Sequence, residues 1–341
     1  MRLSVAMCTY NGARFLHRQL NSIDAQTCLP DELVICDDNS TDGTCSIIEH
    51  YKKKAMFPVK IRHNKRRLGI VNNFEQAISL TQGDIIILSD QDDIWMENKL
   101  RILKEIFSHY HEAGYAFSDA ITIDGLGRIS QHSMWKLVSF NSKRRAMFSI
   151  SPENQVQVLL GGNVVTGATM GFRSWLKAII LPMPEFWMHD EWIALIASLK
   201  GARGILIEEP LIYYRQHEAQ ALGLQRLSGI NLVKRAWHSF MGNAQAYEFY
   251  QLEMCRYHTS TWPASIAASL APTTLSVLKA KMAHVELRAK LHHWPRRARI
   301  PSIVMQLVRR QYHFYSGGWK SAIKDLWVPA AGDSLSARLD I

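Results

Sequence analysis

Short apolar runs alternate with amphipathic stretches along the first hundred residues. Four runs rich in β-branched residues predict buried strands: Arg2–Cys8, Leu33–Cys36, Val59–Arg62 and Ile85–Leu88. The segments between and after them place apolar residues at helical spacing, which predicts helices over Ala13–Ala25, from about Thr41, from Leu68 to Leu80 and over Glu97–Phe107. Strands that alternate with helices form βαβ units, so the sequence predicts an α/β fold with a mostly parallel sheet flanked by helices.

The alternation loosens beyond Gly114. The pattern predicts further strands over Tyr115–Asp119, Ala120–Asp124 in an antiparallel sense, Asn163–Phe172 and Gly204–Glu208. Helices are predicted over Gln155–Leu160 and within Phe186–Lys200. The segment from Gln131 to Met147, which includes Trp135 and Phe140, is expected to be a substrate-facing loop or a solvated face.

Polar or acidic clusters follow three of the first four predicted strands. They are Thr9–Asn11, Asp37–Asp42 and Asp90–Asp93. In sheets of this kind, ligands bind beyond the carboxyl ends of the strands. We therefore expect the three clusters to meet in one crevice.

Three carboxylates, Asp90, Asp92 and Asp93, follow the fourth strand within four residues. Like charges so close repel each other unless a cation or N–H donors compensate them. Mg²⁺ and Mn²⁺ prefer oxygen ligands and leave positions open for substrate phosphates. The cluster predicts a divalent metal with a phosphate bound to it, although an Asp-rich turn with a helix N-cap is the structural alternative.

The first two clusters have the chemistry of a nucleotide site. A carboxylate such as Asp38 accepts a hydrogen bond from the imide N–H of uracil or thymine, and Tyr10 can pack against the base. Thr9 and Asn11 complete this predicted nucleotide site. Strand-to-helix turns and an Asx turn are the structural alternatives. Neither a GxGxxG nor a GxxxxGK[ST] motif is present, which argues against a dinucleotide fold and a P-loop ATPase.

A second informative segment begins at Phe186 and reads FWMHDEWIALIASLK. Asp190 stands where a helix begins, so it is either the helix cap or a general base. Trp187 and Trp192 can exclude water and stack on sugar faces. After the last predicted strand, Arg215 can neutralise a diphosphate and His217 can add a metal ligand. Thr166 and Gly167 are placed where the backbone can approach a ligand closely.

Charge divides the 341 residues into two parts. Residues 224–341 carry sixteen Lys or Arg and six Asp or Glu, whereas residues 1–223 carry twenty-four of each. We therefore expect a catalytic domain over 1–223 and a helical, basic C-terminal region over 224–341 that binds an anionic membrane surface or another subunit. The five cysteines show no CxxC spacing, so a reducing cytosol fits better than a disulfide framework or a zinc ribbon. No signal peptide is expected before the first strand.

Six motifs in this order resemble glycosyltransferase family 2, the inverting enzymes of the GT-A fold, and within it the bacterial rhamnosyltransferase-like branch. Over Arg2–Gly223 they read VAMCTYNG, VICDDNSTDGT, IILSDQDDIW, NVVTGATMGF, MHDEWIALIA and YYRQH. The resemblance implies roles for seven residues. The nucleotide base would bind to Thr9, Tyr10 and Asp38 and the ribose near Asp90, while Asp92 would be the main metal ligand, His217 an added one and Asp190 the catalytic base.

Two assignments stay open within this resemblance. The metal motif reads Asp-Gln-Asp-Asp, which leaves Asp92 and Asp93 as alternative ligands. Glu191 follows Asp190 where an aromatic residue is commoner in this branch, so either of these two carboxylates can be the base.

The resemblance implies transfer of a deoxyhexose such as L-rhamnose from its dTDP donor, or of a hexose from a UDP donor. The acceptor would be a lipid-linked bacterial surface polysaccharide such as O-antigen. The enzyme would be cytoplasmic, or peripheral on the inner face of the membrane. A phosphotransferase of the haloacid-dehalogenase type is the chemical alternative, but it needs an aspartate after the first strand, where Thr9 stands here. The sequence pI of about 9.4 suggests a nucleic-acid-binding protein, but no recognition motif is present, so we expect no nucleic-acid partner.

Overall fold

The computed structural model describes residues 1–185, 187–218, 272–291, 293–316 and 318–327. The chain divides into two compact units. The first contains residues 1–155 and 163–225, and the second contains residues 156–162 and 226–341. The predicted domain boundary after Gly223 falls outside the described residues, as do the aromatic and basic residues of the predicted C-terminal region between 219 and 271.

The first unit begins with the predicted alternation of strands and helices. Its first eight elements are β1 (Leu3–Thr9), α1 (Ala13–Asp24), β2 (Glu32–Asp37), α2 (Thr44–Lys52), β3 (Val59–His63), α3 (Ile70–Leu80), β4 (Ile85–Ser89) and β5 (Ile94–Trp95). Every residue of β2 and β4 is buried, as expected for strands covered by helices on both faces.

The second half of the first unit is less regular. It contains α4 (Lys99–His109), β6 (Ala113–Asp124), β7 (Ile129–Gln131), α5 (Met134–Leu137), α6 (Ser142–Phe148), α7 (Pro152–Leu160, which continues into the second unit), β8 (Met170–Arg173), α8 (Lys177–Ile180), α9 (His189–Leu199) and β9 (Arg203–Gln216). A short 3-10 turn, Gly167–Thr169, precedes β8.

The strands form one sheet in the order β3-β2-β1-β4-β8-β6-β9-β5, and β7 pairs with β6. The pairs among β1, β2, β3 and β4 are parallel. An antiparallel β8 joins them to β6, which in turn runs parallel to β9. The predicted α/β fold is confirmed, and the carboxyl ends of β1, β2 and β4 lie side by side.

Polar side chains shift two predicted boundaries. α2 begins at Thr44 rather than near Thr41, because the Asp42 carboxylate accepts from the Thr44 amide at 2.9 Å and holds a turn before the helix. The predicted strand over Asn163–Phe172 is wrong before Met170. The Asn163 side chain accepts from the Val165 amide at 2.9 Å, and this bond replaces a ladder contact.

Two further predictions for the middle of the chain are corrected. Ala120–Asp124 continues β6 as one strand and runs parallel to β9, with only Thr122 and Ile123 antiparallel to β7. Trp135 and Phe140 lie neither in a substrate-facing loop nor on a solvated face. Their rings pack edge-on at 5.3 Å and both are buried, so aromatic burial fixes this segment to the sheet.

The second unit is helical where it is described. Beyond the end of α7 it contains α10 (Pro272–Leu291), α11 (Arg296–Val308), α12 (Gln311–Tyr315) and α13 (Trp319–Trp327). Leu291, Ile303, Tyr312 and Ala322 form its core. Within the described ranges, none of the helices combines the length and the apolar character that a bilayer crossing requires.

Candidate active site

A cavity opens at the carboxyl ends of β1, β2 and β4. The amino end of α9, the turn before β8 and the end of β9 close its other side. Its lining residues come from segments far apart in the chain: Cys8, Thr9, Tyr10, Asp38, Arg67, Ile70, Asn73, Phe74, Asp90, Gln91, Asp92, Thr166, Gly167, Met188, His189, Asp190, Tyr214 and His217. The three polar clusters that follow the strands therefore do meet. The amino end of α9 adds a fourth polar cluster to the same cavity.

Asp38 is held rigidly at the cavity wall. One carboxylate oxygen accepts from the Leu68 amide at 2.6 Å and from Asn64 Nδ2 at 3.1 Å, and the other accepts from the Gly69 amide at 2.9 Å. A carboxylate has about four acceptor positions. One position is therefore left for a ligand donor, such as the imide N–H that the sequence predicts.

Tyr10 and its neighbours build the same wall. The Gln91 side chain accepts from the Tyr10 amide at 2.8 Å and donates to the Tyr10 carbonyl at 2.9 Å, which joins the ends of β1 and β4. The Arg67 guanidinium lies 4.1 Å from the centre of the Tyr10 ring. Arg67 was not predicted as a site residue, and it brings a cation to the cavity beside the predicted base site.

Thr9 and Asn11 contribute less directly than predicted. Thr9 lines the cavity, but its buried hydroxyl group already donates to Asp37 at 2.8 Å. Asn11 has a positive φ of 48°, and its side-chain oxygen accepts from the Thr41 amide at 2.8 Å. Asn11 does not line the cavity. Its contact with a nucleotide is a prediction that the geometry disfavours.

The two adjacent aspartates after β4 point in different directions. Asp92 lines the cavity, and its Oδ2 lies 2.8 Å from His217 Nε2. Asp93 points into the protein, where its Oδ1 accepts from the Arg215 amide at 2.9 Å. Among the described residues its Oδ2 has no hydrogen-bond partner. The structure therefore places Asp92 and His217 together at the cavity, and Asp93 outside it.

Arg215 is not placed for the predicted contact with a diphosphate. Its side chain is buried and does not line the cavity. Its Nε donates to the Asp92 carbonyl at 2.7 Å, and its Nη1 donates to the Asp124 carbonyl at 3.2 Å. Because these bonds fix the turn that carries Asp92, Arg215 positions the cavity wall instead of facing a ligand.

Negative charge accumulates around Asp90. Burial, and then the Asp92 and Asp190 carboxylates, raise the pKa of Asp90 to about 7. Burial and the Asp92 charge also raise the pKa of Asp93 well above its usual value. Lys99 lies behind the cluster, where burial lowers its own pKa to about 7. Its ammonium donates to the Ala168 carbonyl at 2.6 Å.

This donor set fits a hard divalent cation. Asp92 supplies carboxylate oxygen and His217 an imidazole nitrogen at the same point of the wall. A cation there would offset the repulsion that raises the pKa of Asp90. Mg²⁺-type sites typically use one or two carboxylates and complete their coordination with water and substrate phosphates. With two protein ligands, the remaining coordination positions are open to water and phosphate oxygens.

Asp190 lies across the cavity from the strand ends. Its Oδ2 accepts from the Gly167 amide at 2.9 Å, and its Oδ1 accepts from the Glu191 amide at 2.7 Å. The N-cap position of α9 is Met188, so Asp190 is not the N-cap residue, although its Oδ1 bonds a first-turn amide of the helix. Glu191 does not line the cavity. Between the two predicted bases, only Asp190 is placed at the cavity wall.

His189 is a cavity residue that sequence reasoning missed. Its ring stacks on Phe74, with ring centres 4.0 Å apart. Although it is buried, neither ring nitrogen has a hydrogen-bond partner among the described residues. Burial lowers the pKa of His189, so a neutral imidazole lies beside Asp190. Its position next to Asp190 in the sequence was the only signal that could have identified it.

Trp187 and Trp192 do not reach the cavity. Both rings are buried and lie 5.3 Å apart, and the Trp192 indole donates to the Ile180 carbonyl at 2.8 Å. The predicted stacking of these rings on a sugar is therefore wrong, because the pair packs in the core instead. Thr166 and Gly167 do line the cavity. A side chain at Gly167 would approach His189 Nε2 to 2.6 Å, so the backbone comes close to the site here.

A family model described as glycosyl transferase family 2 matches residues 4–180, which is more than half of the chain. The chain therefore belongs to glycosyltransferase family 2, as the six motifs indicated.

Two relatives are named as transferases of particular sugars. The dTDP-rhamnosyl transferase RfbG of Shigella flexneri is 23% identical over 241 residues, which are 68% of this chain and 80% of that protein. The abequosyltransferase RfbV of Salmonella typhimurium is 35% identical over 106 residues, 30% of this chain and 32% of that protein. The chain spans only about a third of the length of the first curated relatives that it matches.

A solved structure has a similar fold. The mannosyltransferase PcManGT from Pyrobaculum calidifontis, in complex with GDP-Man and Mn²⁺, has a TM-score of 0.51 and 17% sequence identity. The match covers 96% of this chain and 87% of that chain. The fold is therefore of the GT-A type, as predicted.

Proposed function

We propose that the chain is an inverting glycosyltransferase that moves a deoxyhexose, L-rhamnose in the first instance, from a dTDP donor to a hydroxyl group of a lipid-linked bacterial surface polysaccharide. One observation carries the proposal. Asp38, Asp92 and Asp190, which come from three distant segments, all line one cavity. A nucleotide base, a metal-bound diphosphate and an acceptor hydroxyl need three such positions around one sugar.

The donor would lie along the strand ends. The free acceptor position of Asp38 suits the imide N–H of thymine, and Tyr10 with Arg67 offers a face for the base. A divalent cation, Mg²⁺ or Mn²⁺, held by Asp92 and His217 would supply charge stabilisation for the departing diphosphate. The Mn²⁺ in the complex of PcManGT supports this cofactor class.

Asp190 would act as the general base. The Gly167 amide holds its carboxylate in one orientation at the wall opposite the strand ends. From there it would accept the proton of an acceptor hydroxyl as that oxygen attacks the anomeric carbon. One displacement inverts this carbon, and no covalent enzyme intermediate forms.

The proposed sugar class rests on the cavity wall and on the relatives. Ile70, Phe74 and Met188 give part of the lining an apolar character. A 6-deoxy sugar carries a methyl group in place of a hydroxymethyl group, and burying that methyl on an apolar wall is favourable. Two relatives are named for rhamnosyl and abequosyl transfer. A UDP-hexose is the alternative donor, and turnover of dTDP-rhamnose against UDP-glucose with Mn²⁺ separates the two.

Replacing Asp190 with Asn tests the assigned base. We expect turnover to fall by about 10²- to 10⁴-fold, because the amide cannot accept the proton, while donor binding stays unchanged. Single-turnover transfer assays and calorimetric titration with dTDP-rhamnose and Mn²⁺ measure the two quantities. The matched control is Glu191→Gln, which alters the adjacent carboxylate outside the cavity and should retain activity. Undiminished turnover in Asp190→Asn would remove the proposed mechanism.

The second unit supports the proposed contact with an anionic membrane surface. Two of its helices expose apolar residues at positions i, i+4 and i+8: Ile300, Val304 and Val308 on α11, and Trp319, Ile323 and Trp327 on α13. Exposed basic residues lie on or next to the same helices: Arg296, Arg297, Arg309, Arg310 and Lys320. Aromatic and basic side chains together favour the headgroup region of anionic lipids.

Liposome flotation tests this contact. The full-length protein should float with vesicles that contain anionic lipid and not with neutral vesicles. The double variant Trp319→Ala/Ile323→Ala should lose most of the binding, since it removes two apolar anchors. Trp175→Ala changes an exposed tryptophan of the first unit and is the matched control. Equal flotation of all three proteins would exclude this surface as the membrane contact.

A further inference from the structure

Three metal-ligating side chains meet away from the cavity, at the ends of β2 and β3. Asp37 is the last residue of β2, His63 is the last residue of β3, and the two are direct neighbours in the parallel register. Cys45 reaches them from the first turn of α2. One ligand atom from each residue lies within 4.8 Å of the other two.

Hydrogen bonds hold the Asp37 and His63 side chains next to the Cys45 sulfur. His63 Nε2 lies 3.1 Å from the Glu49 carboxylate, so the proton of a neutral ring belongs on this nitrogen. The other nitrogen, Nδ1, then presents its lone pair to Cys45 Sγ at 3.6 Å. Asp37 Oδ2 accepts from the Ser40 amide at 2.9 Å and lies 3.4 Å from the same sulfur. The thiol proton thus lies between two acceptors.

The two distances from the Cys45 sulfur match those between ligands of a tetrahedral zinc ion, and the Asp37 and His63 ligand atoms lie within 4.8 Å of each other. Zinc bonds of about 2.3 Å to sulfur and about 2.0–2.1 Å to nitrogen and oxygen separate the sulfur from the other ligand atoms by about 3.5 Å. The observed separations of 3.4 and 3.6 Å from the sulfur already have this length. We propose that Asp37, Cys45 and His63 form a binding site for a borderline-soft divalent cation of the zinc class, separate from the proposed catalytic metal.

Glu49 completes the arrangement. Histidines that bind metals usually donate their second N–H to a carboxylate or carbonyl, which fixes the tautomer and orients the ring. Glu49 makes this contact with His63. His63 is exposed, so solvent reaches the point where a fourth ligand, a water molecule, would bind.

The thiol is protonated without a metal. Burial, and then the Asp37 carboxylate, raise the pKa of Cys45 to about 11. Zinc binds the thiolate, so the cation takes the place of the thiol proton and that proton is released to solvent. The positive charge of the cation also compensates the Asp37 carboxylate, which raises the pKa of Cys45.

The site would act on the base-binding wall from behind. Asp37 precedes Asp38 in the chain, and its Oδ1 accepts from the Thr9 and Ser40 hydroxyls at 2.8 and 2.6 Å. A cation on Asp37 would tie this loop to α2 and β3. None of the three ligands lines the cavity, so the site can be loaded or emptied without touching Asp92.

Cobalt(II) is the probe that tests this site in the full-length protein. Cobalt replaces zinc in such sites, and a thiolate ligand gives a charge-transfer absorption that oxygen and nitrogen ligands do not give. We expect the wild type to show this absorption, with one proton released for each ion bound to the thiolate. Zinc added afterwards should abolish the absorption by displacing the cobalt.

Four variants test whether Cys45 binds the metal and whether this site is separate from the proposed catalytic metal. Cys45→Ser should lose the thiolate absorption, whereas Cys28→Ser, which changes another half-buried cysteine, should keep it. Glu49→Gln should keep the absorption but weaken affinity about tenfold, as expected for the loss of the carboxylate that orients a ligand. Asp92→Asn should leave it intact, which separates this site from the proposed catalytic metal.

Three results would overturn the proposal. They are the absence of a thiolate absorption in the wild type, its persistence in Cys45→Ser, and its loss in Asp92→Asn. None of these readouts depends on sugar transfer. The proposal can therefore fail while the proposed function stands, and the converse also holds.

Discussion

Buried charge is arranged in opposite ways in the two units. In the second unit, Asp325 is fully buried and accepts from Arg288 Nε at 2.6 Å, from Arg288 Nη2 at 2.8 Å and from the Tyr312 hydroxyl at 2.6 Å. In the first unit, the carboxylates of Asp90 and Asp92 line one cavity beside a lysine whose pKa is lowered to about 7. The cluster of Asp325 and Arg288 is matched, because each charge has an opposite charge beside it. The cluster of Asp90 and Asp92 is unmatched, because it carries more negative than positive charge.

The difference separates a folding role from a binding role. A matched buried pair needs nothing further, and removing one partner leaves an uncompensated charge. An unmatched cluster makes the ligand-free protein less stable, and a cation with its substrate removes that cost when it binds. Buried charge therefore indicates a binding site only where the protein leaves it uncompensated.

The largest expected effect is on the matched cluster. Asp325→Ala should lower the free energy of unfolding by about 3–5 kcal/mol, because the buried Arg288 guanidinium loses its partner. Urea unfolding of the full-length chain measures this loss. Glu286→Gln is the control, since Glu286 pairs with Lys290 on the surface, where such pairs contribute at most about 0.5 kcal/mol. A loss below about 1 kcal/mol for Asp325→Ala would contradict the distinction between the clusters.

One buried group in each unit should change stability with pH, and the contributions of these two groups have opposite signs. In the second unit, burial lowers the pKa of His284 to about 4, against 6.5 in the unfolded chain. The unfolded chain therefore binds a proton between pH 6.5 and 4 that the folded unit excludes. The contribution of His284 to stability is complete above pH 6.5, and about 3 kcal/mol is lost as the pH falls to 4.

In the metal-free first unit, the contribution of Asp90 to stability changes with pH in the opposite direction. Its folded pKa of about 7 lies above the usual 3.8, so the folded unit keeps a proton that the unfolded chain has released. Stability is complete below pH 4 and falls as the pH rises to 7. The change is about 2 kcal/mol after allowance for solvent at the cavity wall.

Hydrogen exchange separates the two responses, because peptides from α10 and β4 report on different units. Protection of α10 should increase from pH 4 to 6.5, while protection of β4 in chelator-treated protein should decrease. His284→Gln should flatten the first trend, and Asp90→Asn should flatten the second. If the protection of α10 and of β4 changed with pH in the same direction, the proposed difference between the two units would be wrong.

The sequence predicted the strands and the residues that follow them, because both signals are local. An apolar β-branched run followed by Asp38 or by Asp90 and Asp92 marks a buried strand and its carboxyl end without reference to the rest of the chain. The parallel fold then brings those ends together. Of the predicted residues that follow β1, β2 and β4, Thr9, Tyr10, Asp38, Asp90 and Asp92 line the cavity, whereas Asn11 and Asp93 do not.

The direction of a side chain depends on partners that sequence patterns do not reveal. Asp92 and Asp93 are adjacent, and only the Arg215 amide, about 120 positions away, draws Asp93 inward. Trp187 and Trp192 are of the residue type that stacks on sugars, yet both rings are buried in the core. The arrangement around Cys45 was missed for the same reason, since its partners are on different elements.

The smallest expected effect is on the unmatched cluster. Asp92→Asn removes one of the charges that raise the pKa of Asp90 and Asp93. The metal-free variant should therefore be more stable than the wild type, by about 1 kcal/mol. Binding of Mn²⁺ should weaken, and the thermal stabilisation by Mn²⁺ with the donor should disappear. Chelator-treated urea unfolding measures the first effect, and thermal shift measures the second.

Glu105→Gln is the control for this gain, because Glu105 forms an exposed pair with Arg101 four residues away and should change stability by no more than about 0.5 kcal/mol. If Asp92→Asn destabilised the metal-free protein, the cluster would be compensated from within, as Asp325 is. The excess charge would then give no reason to assign a cation to the cavity. A gain in stability together with a loss of Mn²⁺ binding would mean that Asp92 is retained for a ligand and not for the fold.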